Sequence, residues 1–162
     1  MNVTSVGRYK LGFNSTSFTI ECPFGTPKFS GLATSNLPKL YAICVDDYSY
    51  PIYIGMTKQP IRNRLRLGWS ANGNNGYHGY AWRKYFTTAT LDLWCHTDPS
   101  AGNGSVDIET VEAELVYLIR QAGQWPLFQT EIHFHRSSEV HRNVAAGIGA
   151  HYGLNTKIEQ IG

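Results

Sequence analysis

The chain has 162 residues, a formal net charge of +2, 42% hydrophobic and 16% charged residues. That length supports one core rather than two, and so small a net charge means that a nucleic-acid partner would have to be met by a local basic patch rather than by overall charge. Three cysteines, Cys22, Cys44 and Cys95, are widely spaced and odd in number, which argues against a disulfide framework and a cysteine-built zinc site. No apolar run is long enough to span a bilayer and the first residues hold no apolar leader, so the protein reads as cytoplasmic.

In chain order, residues 1–36 are rich in Gly, Pro, Ser and Thr, with one alternating stretch from Ser17 to Cys22 that suits a strand. This part is expected to be an N-terminal extension on the main sheet. Lys39 to Val45 and Ile52 to Met56 read as two strands of a hairpin, joined by the turn-rich DDYSYP. Pro60 suits the first turn of a helix over IRNRLRL; residues 70–79 are a loop, and AWRKYF suits a short helix. Ala89 to His96 alternates as a third strand. Asp107 to Gln121 places Ile108, Val111, Leu115, Leu118 and Ile119 on one apolar face, and Gly123 is placed to end that helix. Glu131 to His135 suits a strand, and Ser137 to Tyr152 a closing helix with Val140, Val144, Ala145 and Ile148 inward. The whole predicts a single compact α+β domain: a small three-stranded mixed sheet flanked by helices in a core over 37–136, with an N-terminal extension (1–36) and a C-terminal helical addition (137–162).

From about Leu37 to Gln129 the chain resembles the GIY-YIG nuclease superfamily. Tyr53-Ile54-Gly55 is the second half-motif, and Lys39-Leu40-Tyr41 stands at the first, keeping its tyrosine. After this hairpin come a helix with repeated arginines, a strand and a glutamate-bearing helix, in the family's order. The resemblance implies catalytic roles for Tyr41 and Tyr53, and for Arg64 on the phosphate, with Arg62 in reserve. It also implies that His78 assists in the loop before AWRKYF, and that Gln129, beyond Pro126, stands where many members carry an asparagine.

Read from the residues alone, neighbouring strands of a hairpin can place two phenols on one sheet face, and arginine supplies a fixed charge that matches phosphate. Of the glutamates on the long helix, Glu112 falls inside the apolar arc, between Ile108, Leu115, Val116 and Ile119. A carboxylate inside such a stripe needs a cation, so Glu112 is the expected metal ligand and Glu114, at the edge of the arc, the reserve. The expected cofactor is Mg²⁺ or Mn²⁺, because a carboxylate with waters suits a hard octahedral ion. Arg62, Arg64, Arg66, Arg83 and Lys84 are the expected DNA contacts. Trp69, Tyr80 and Trp82 suit either base stacking or the core, and His133 and His135 lack a third ligand at convincing metal spacing.

The reading is therefore a divalent-metal-dependent DNA endonuclease. A homodimer is the expected way to cut both strands, because one Glu and one Arg serve one strand at a time. The alternative is a catalytically inactive nucleic-acid-binding module on the same scaffold.

Overall fold

The computed structural model describes residues 1–100, 102–129 and 131–154. Its core is a sheet of β1 (Val3–Phe13), β2 (Phe18–Glu21), β3 (Lys39–Cys44), β4 (Tyr53–Thr57) and β5 (Thr88–His96). Helices α1 (Ile61–Ser70), α2 (Gly104–Gln121) and α3 (Glu139–Ala150) pack on it. The strand order is β2-β1-β5-β3-β4, and every neighbouring pair is antiparallel.

This corrects the expected three-stranded mixed sheet. The sheet has five strands, and the region expected to be an extension supplies two of them. Strand β1 lies inside the sheet, paired with β5 from Val3↔His96 to Gly12↔Thr88. Its sequence hides it. The register shifts between Ser5 and Gly7, and a slip of one residue there sends the side chains beyond it to the opposite face, so the period-2 pattern breaks in the middle of the strand. The segment 131–137, expected to hold a strand, is irregular, and the closing helix is shorter than 137–152. Residues 155–162, the end of the expected C-terminal addition, lie outside the described residues.

Both faces of the sheet are covered. On one, Tyr41, Ile43, Leu91 and Leu93 meet Ile61, Leu65 and Trp69 of α1 and the buried Tyr80 and Trp82. On the other, Leu40, Ala42, Ile54 and Trp94 meet Ile108, Val111, Leu115 and Ile119 of α2 and Ala145 and Ile148 of α3. A strand buried on both sides reads as an unbroken apolar run, as β3 does. Gly123, at φ +80°, ends α2 as its position suggests. No helix among the described residues is long and apolar enough to cross a membrane.

Strand β4 is the last of the sheet, and its free edge is where groups from the two faces can meet. That edge is partly closed by chain rather than by a sixth strand. Phe128 N–H donates to the Ile52 carbonyl, and the Gln129 side chain accepts from Ile54 N–H and donates to the Ile54 carbonyl, both at 2.9 Å. A primary amide thereby pairs with one residue of an edge strand as a backbone would.

Candidate active site

Along the edge of β4 lies a cleft of about 580 Å³ whose walls include Tyr53, Arg64, His78, Tyr80 and Glu112. The register of the hairpin explains the tyrosines. Tyr41 pairs with Gly55, and Tyr53 is two residues along the partner strand, so the two are diagonal neighbours on the α1 face with ring centroids 5.9 Å apart. Gly55 is needed for this: a Cβ there would stand 2.5 Å from the Tyr41 ring, which lies across it.

Tyr41 is completely buried and is not part of the cleft wall. Its hydroxyl shares a 2.9 Å hydrogen bond with that of Tyr80. The phenol facing the cleft from the hairpin is Tyr53, half-buried. Burial pushes the phenols of Tyr41, Tyr53 and Tyr80 all above the ordinary tyrosine value. They are hydroxyls at neutral pH, able to donate and accept hydrogen bonds.

Arg64 comes from α1. Its Nη1 donates to the Tyr77 hydroxyl at 2.7 Å, and its guanidinium lies 4.8 Å from the centre of the Tyr80 ring. A guanidinium keeps its proton even where burial works against its charge, and the Tyr77 hydroxyl and the Tyr80 ring face partner it here, so it is a fixed cation.

Glu112 reaches the cleft from α2, on the opposite face of the sheet, and is 6% exposed. Its one hydrogen bond among the described residues is from Gln129 Nε2, at 2.9 Å. Burial, opposed by that bond and reinforced by the nearby Glu109 and Glu131, lifts its carboxyl to about 8. Glu109 and Glu131 also face the cleft, the first bonded to His135 Nε2 at 2.6 Å and the second 3.4 Å from His133 Nε2. Glu114 is partly exposed and outside the cleft wall. Among the described residues, no group of three or more His, Cys, Asp or Glu is gathered so as to hold a metal by itself.

The remaining sequence candidates scatter. His78 is exposed on the cleft rim. Arg66 and Lys84 are exposed, whereas Arg62 donates to the Pro27 carbonyl at 3.1 Å and lies over Phe29. Arg83 is buried: its guanidinium donates to the carbonyls of Gly68, His78 and Ala71, pinning the end of α1 to the loop after it, so it has no face for DNA. Trp69 and Trp82 are core.

Sequence reasoning gives Tyr80 only as an aromatic for base stacking or the core, and does not single out Tyr77, Glu109 or Glu131 as site residues. For Tyr80 a signal exists in Gly68. A glycine inside a helix costs roughly 1 kcal/mol against alanine and so calls for a packing reason. The reason is the Tyr80 ring, which occupies the place a Cβ would take. Nothing in the local sequence marks Glu131 or Tyr77. No family model, curated protein or solved structure matches the chain.

Proposed function

We propose that the chain is a divalent-metal-dependent endonuclease that hydrolyses DNA phosphodiester bonds, as its GIY-YIG resemblance implies. The observation that carries this reading is the meeting of Tyr53, Arg64 and Glu112 on one cleft, from a strand, a helix and a helix on the other face of the sheet.

The donor chemistry fits a hard cation. Glu112 is a buried oxygen donor with an amide and two carboxylates around it and, among the described residues, no cationic partner, and Mg²⁺ is commonly held by one or two carboxylates with waters and phosphate oxygens completing its shell. Mg²⁺ or Mn²⁺ bound there supplies charge neutralisation on the phosphate and a more acidic water. Arg64 binds a non-bridging phosphate oxygen through its remaining N–H donors. The Tyr53 hydroxyl orients the attacking water, since a phenol whose pKa is raised serves as a hydrogen-bonding group rather than as a base. Tyr41 acts from behind, through its neighbours. Arg66 and Lys84 follow the DNA backbone. A homodimer would let two such sites cut both strands, and the cytoplasm is the expected compartment.

A second reading is a non-catalytic DNA-binding module, favoured by the sealing of Tyr41 from the cleft. Supercoiled plasmid separates the two. The nuclease nicks it with Mg²⁺ or Mn²⁺ and stops in excess EDTA. A salt-dependent mobility shift without nicking leaves the binding module, and neither nicking nor shift sinks both.

A further inference from the structure

We infer that Tyr80 is a positioning residue of this site, holding the Tyr41 hydroxyl and the Arg64 guanidinium in place together; the inference rests on the nuclease reading above. Three observations carry it. The Tyr80 hydroxyl is the hydrogen-bond partner of Tyr41, at 2.9 Å in a setting where Tyr41 is sealed from water. A hydroxyl so placed points wherever its partner sends it, because no solvent competes for the bond. The face of the same ring carries Arg64, with the guanidinium 4.8 Å from the centroid.

The third observation is how rigidly the ring is held. It stacks on Trp82 at 4.9 Å and 28°, and meets Trp69 edge-on at 5.6 Å. On α1 it fills the space left by Gly68, and its backbone N–H donates to the Gly68 carbonyl at 3.3 Å. The loop from Ala71 is thereby fastened to the helix that carries Arg64. Tyr80 also packs edge-on against Tyr53, the phenol facing the cleft, at 5.5 Å. A rigid ring touching Tyr41, Tyr53 and Arg64 sets the relative placement of all three, which is what a supporting shell contributes to a site.

A ring that only filled the core would not need its hydroxyl, and this distinguishes the two roles. Tyr80→Phe keeps the ring, the Trp82 stack and the Arg64 face, and removes the bond to Tyr41. In Mg²⁺-dependent plasmid nicking by the full chain, kcat is expected to fall about tenfold with KM within about twofold of wild type. Tyr41→Phe is expected to fall similarly, and the double variant no further than the worse single one, since both changes break one bond. A Tyr80→Phe variant that melts earlier but nicks at wild-type kcat overturns the inference, as does a double variant whose loss is the product of the two single losses. Should Tyr80→Phe not fold, Tyr41→Phe breaks the same bond from its other end, and a kcat unchanged there overturns the role. A wild-type chain that does not nick at all removes the nuclease reading and this role with it. A wild type that nicks beside an unaffected Tyr80→Phe removes only the role.

Discussion

Among the described residues two acidic side chains are buried, Asp92 in the sheet and Glu112 on the helix packed against it, and their surroundings differ in the one respect that matters. Asp92, on β5, is 2% exposed and fully partnered: Arg8 donates to both its oxygens, at 2.7 and 3.0 Å, and the Tyr152 hydroxyl donates at 2.6 Å. Glu112 is almost as buried and has, among the described residues, one neutral donor, with two further carboxylates close by. A buried carboxylate is costly unless paired, and among the described residues Asp92 has a counter-charge while Glu112 has none. Burial alone therefore does not mark a site. Burial without a cation does, and only Glu112 of the two faces a cleft open to one.

The contrast between the two carboxylates is broken most sharply at Glu112. Glu112→Gln keeps size and the bond from Gln129 and removes the charge that would hold a cation. Nicking is expected to fall by about a thousandfold or more. Without metal, stability should move the other way. The Glu112 carboxyl is lifted from 4.5 in the unfolded chain to about 8 in the folded one, so the fold prefers the neutral form. Its favourable contribution is complete below pH 4.5 and is lost as pH rises towards 8. Gln carries no such loss, so melting temperatures of the EDTA-treated proteins should separate increasingly from about pH 5 to about pH 8, with Glu112→Gln the higher. A wild type that melts higher than the variant at the alkaline end would mean that Glu112 has a counter-charge after all. If Glu114→Gln is dead and Glu112→Gln cuts normally, Glu114 is the ligand instead.

Next in size is Arg64→Ala, which removes the cation on the other wall. Turnover should fall about a hundredfold, and DNA affinity should fall too, because the phosphate loses a partner in the ground state and a stronger one as charge builds in the transition state. The salt slope of binding should drop by about one charge. Unchanged affinity would place Arg64 outside the phosphate path.

How far these features are legible in the sequence depends on whether the pattern is local. Helix α2 is legible because its apolar arc is continuous, and the same arc marks Glu112 as the misfit. The hairpin β3–β4 is legible from two apolar runs about a turn, and its register places Tyr41 near Tyr53. Strand β1 is not, because a bulge interrupts its alternation and the longer of its two pairings, with β5, is to a strand far along the chain. Tyr80 is visible only as an aromatic in a loop. What makes it part of the site is its place on Gly68, beyond the reach of any helical or strand period. Arg83 looks like a surface cation, yet three backbone carbonyls claim it. Carbonyl partners supplied by a folded loop leave no trace in composition.

On the Asp92 side the matching change is Arg8→Ala, which strips most of the counter-charge from a buried carboxylate. Breaking such a pair costs about 3–5 kcal/mol when both groups are buried. Here the Arg8 side chain is 53% exposed and Tyr152 still donates, so a loss of about 2 kcal/mol in denaturant unfolding is the expectation. Nicking per folded molecule should not change, since Arg8 and Asp92 are not part of the cleft wall. A kcat loss larger than the loss of folded protein would show that the two regions are coupled through β5.

The smallest effect belongs to the charges that lie outside both regions. Lys84 and Arg66 are exposed, and neither is tied to an internal partner among the described residues, so each can meet a phosphate without giving one up. Lys84→Ala or Arg66→Ala should therefore leave stability within about 0.5 kcal/mol of wild type, as surface substitutions do. Removing one phosphate-binding cation should lower the slope of log affinity against log salt by about 0.9. Turnover at saturating DNA should stay the same, because neither side chain lines the cleft and an interaction made equally before and during reaction does not change kcat. Arg62 is the control on the same helix as Arg66. Its bond to the Pro27 carbonyl and its place over Phe29 give it a structural task, so Arg62→Ala should lose stability as well as slope. If Arg62→Ala changes the salt slope while Lys84→Ala and Arg66→Ala do not, the DNA path runs along the Pro27 side of α1. In that case the two exposed cations belong to ordinary surface.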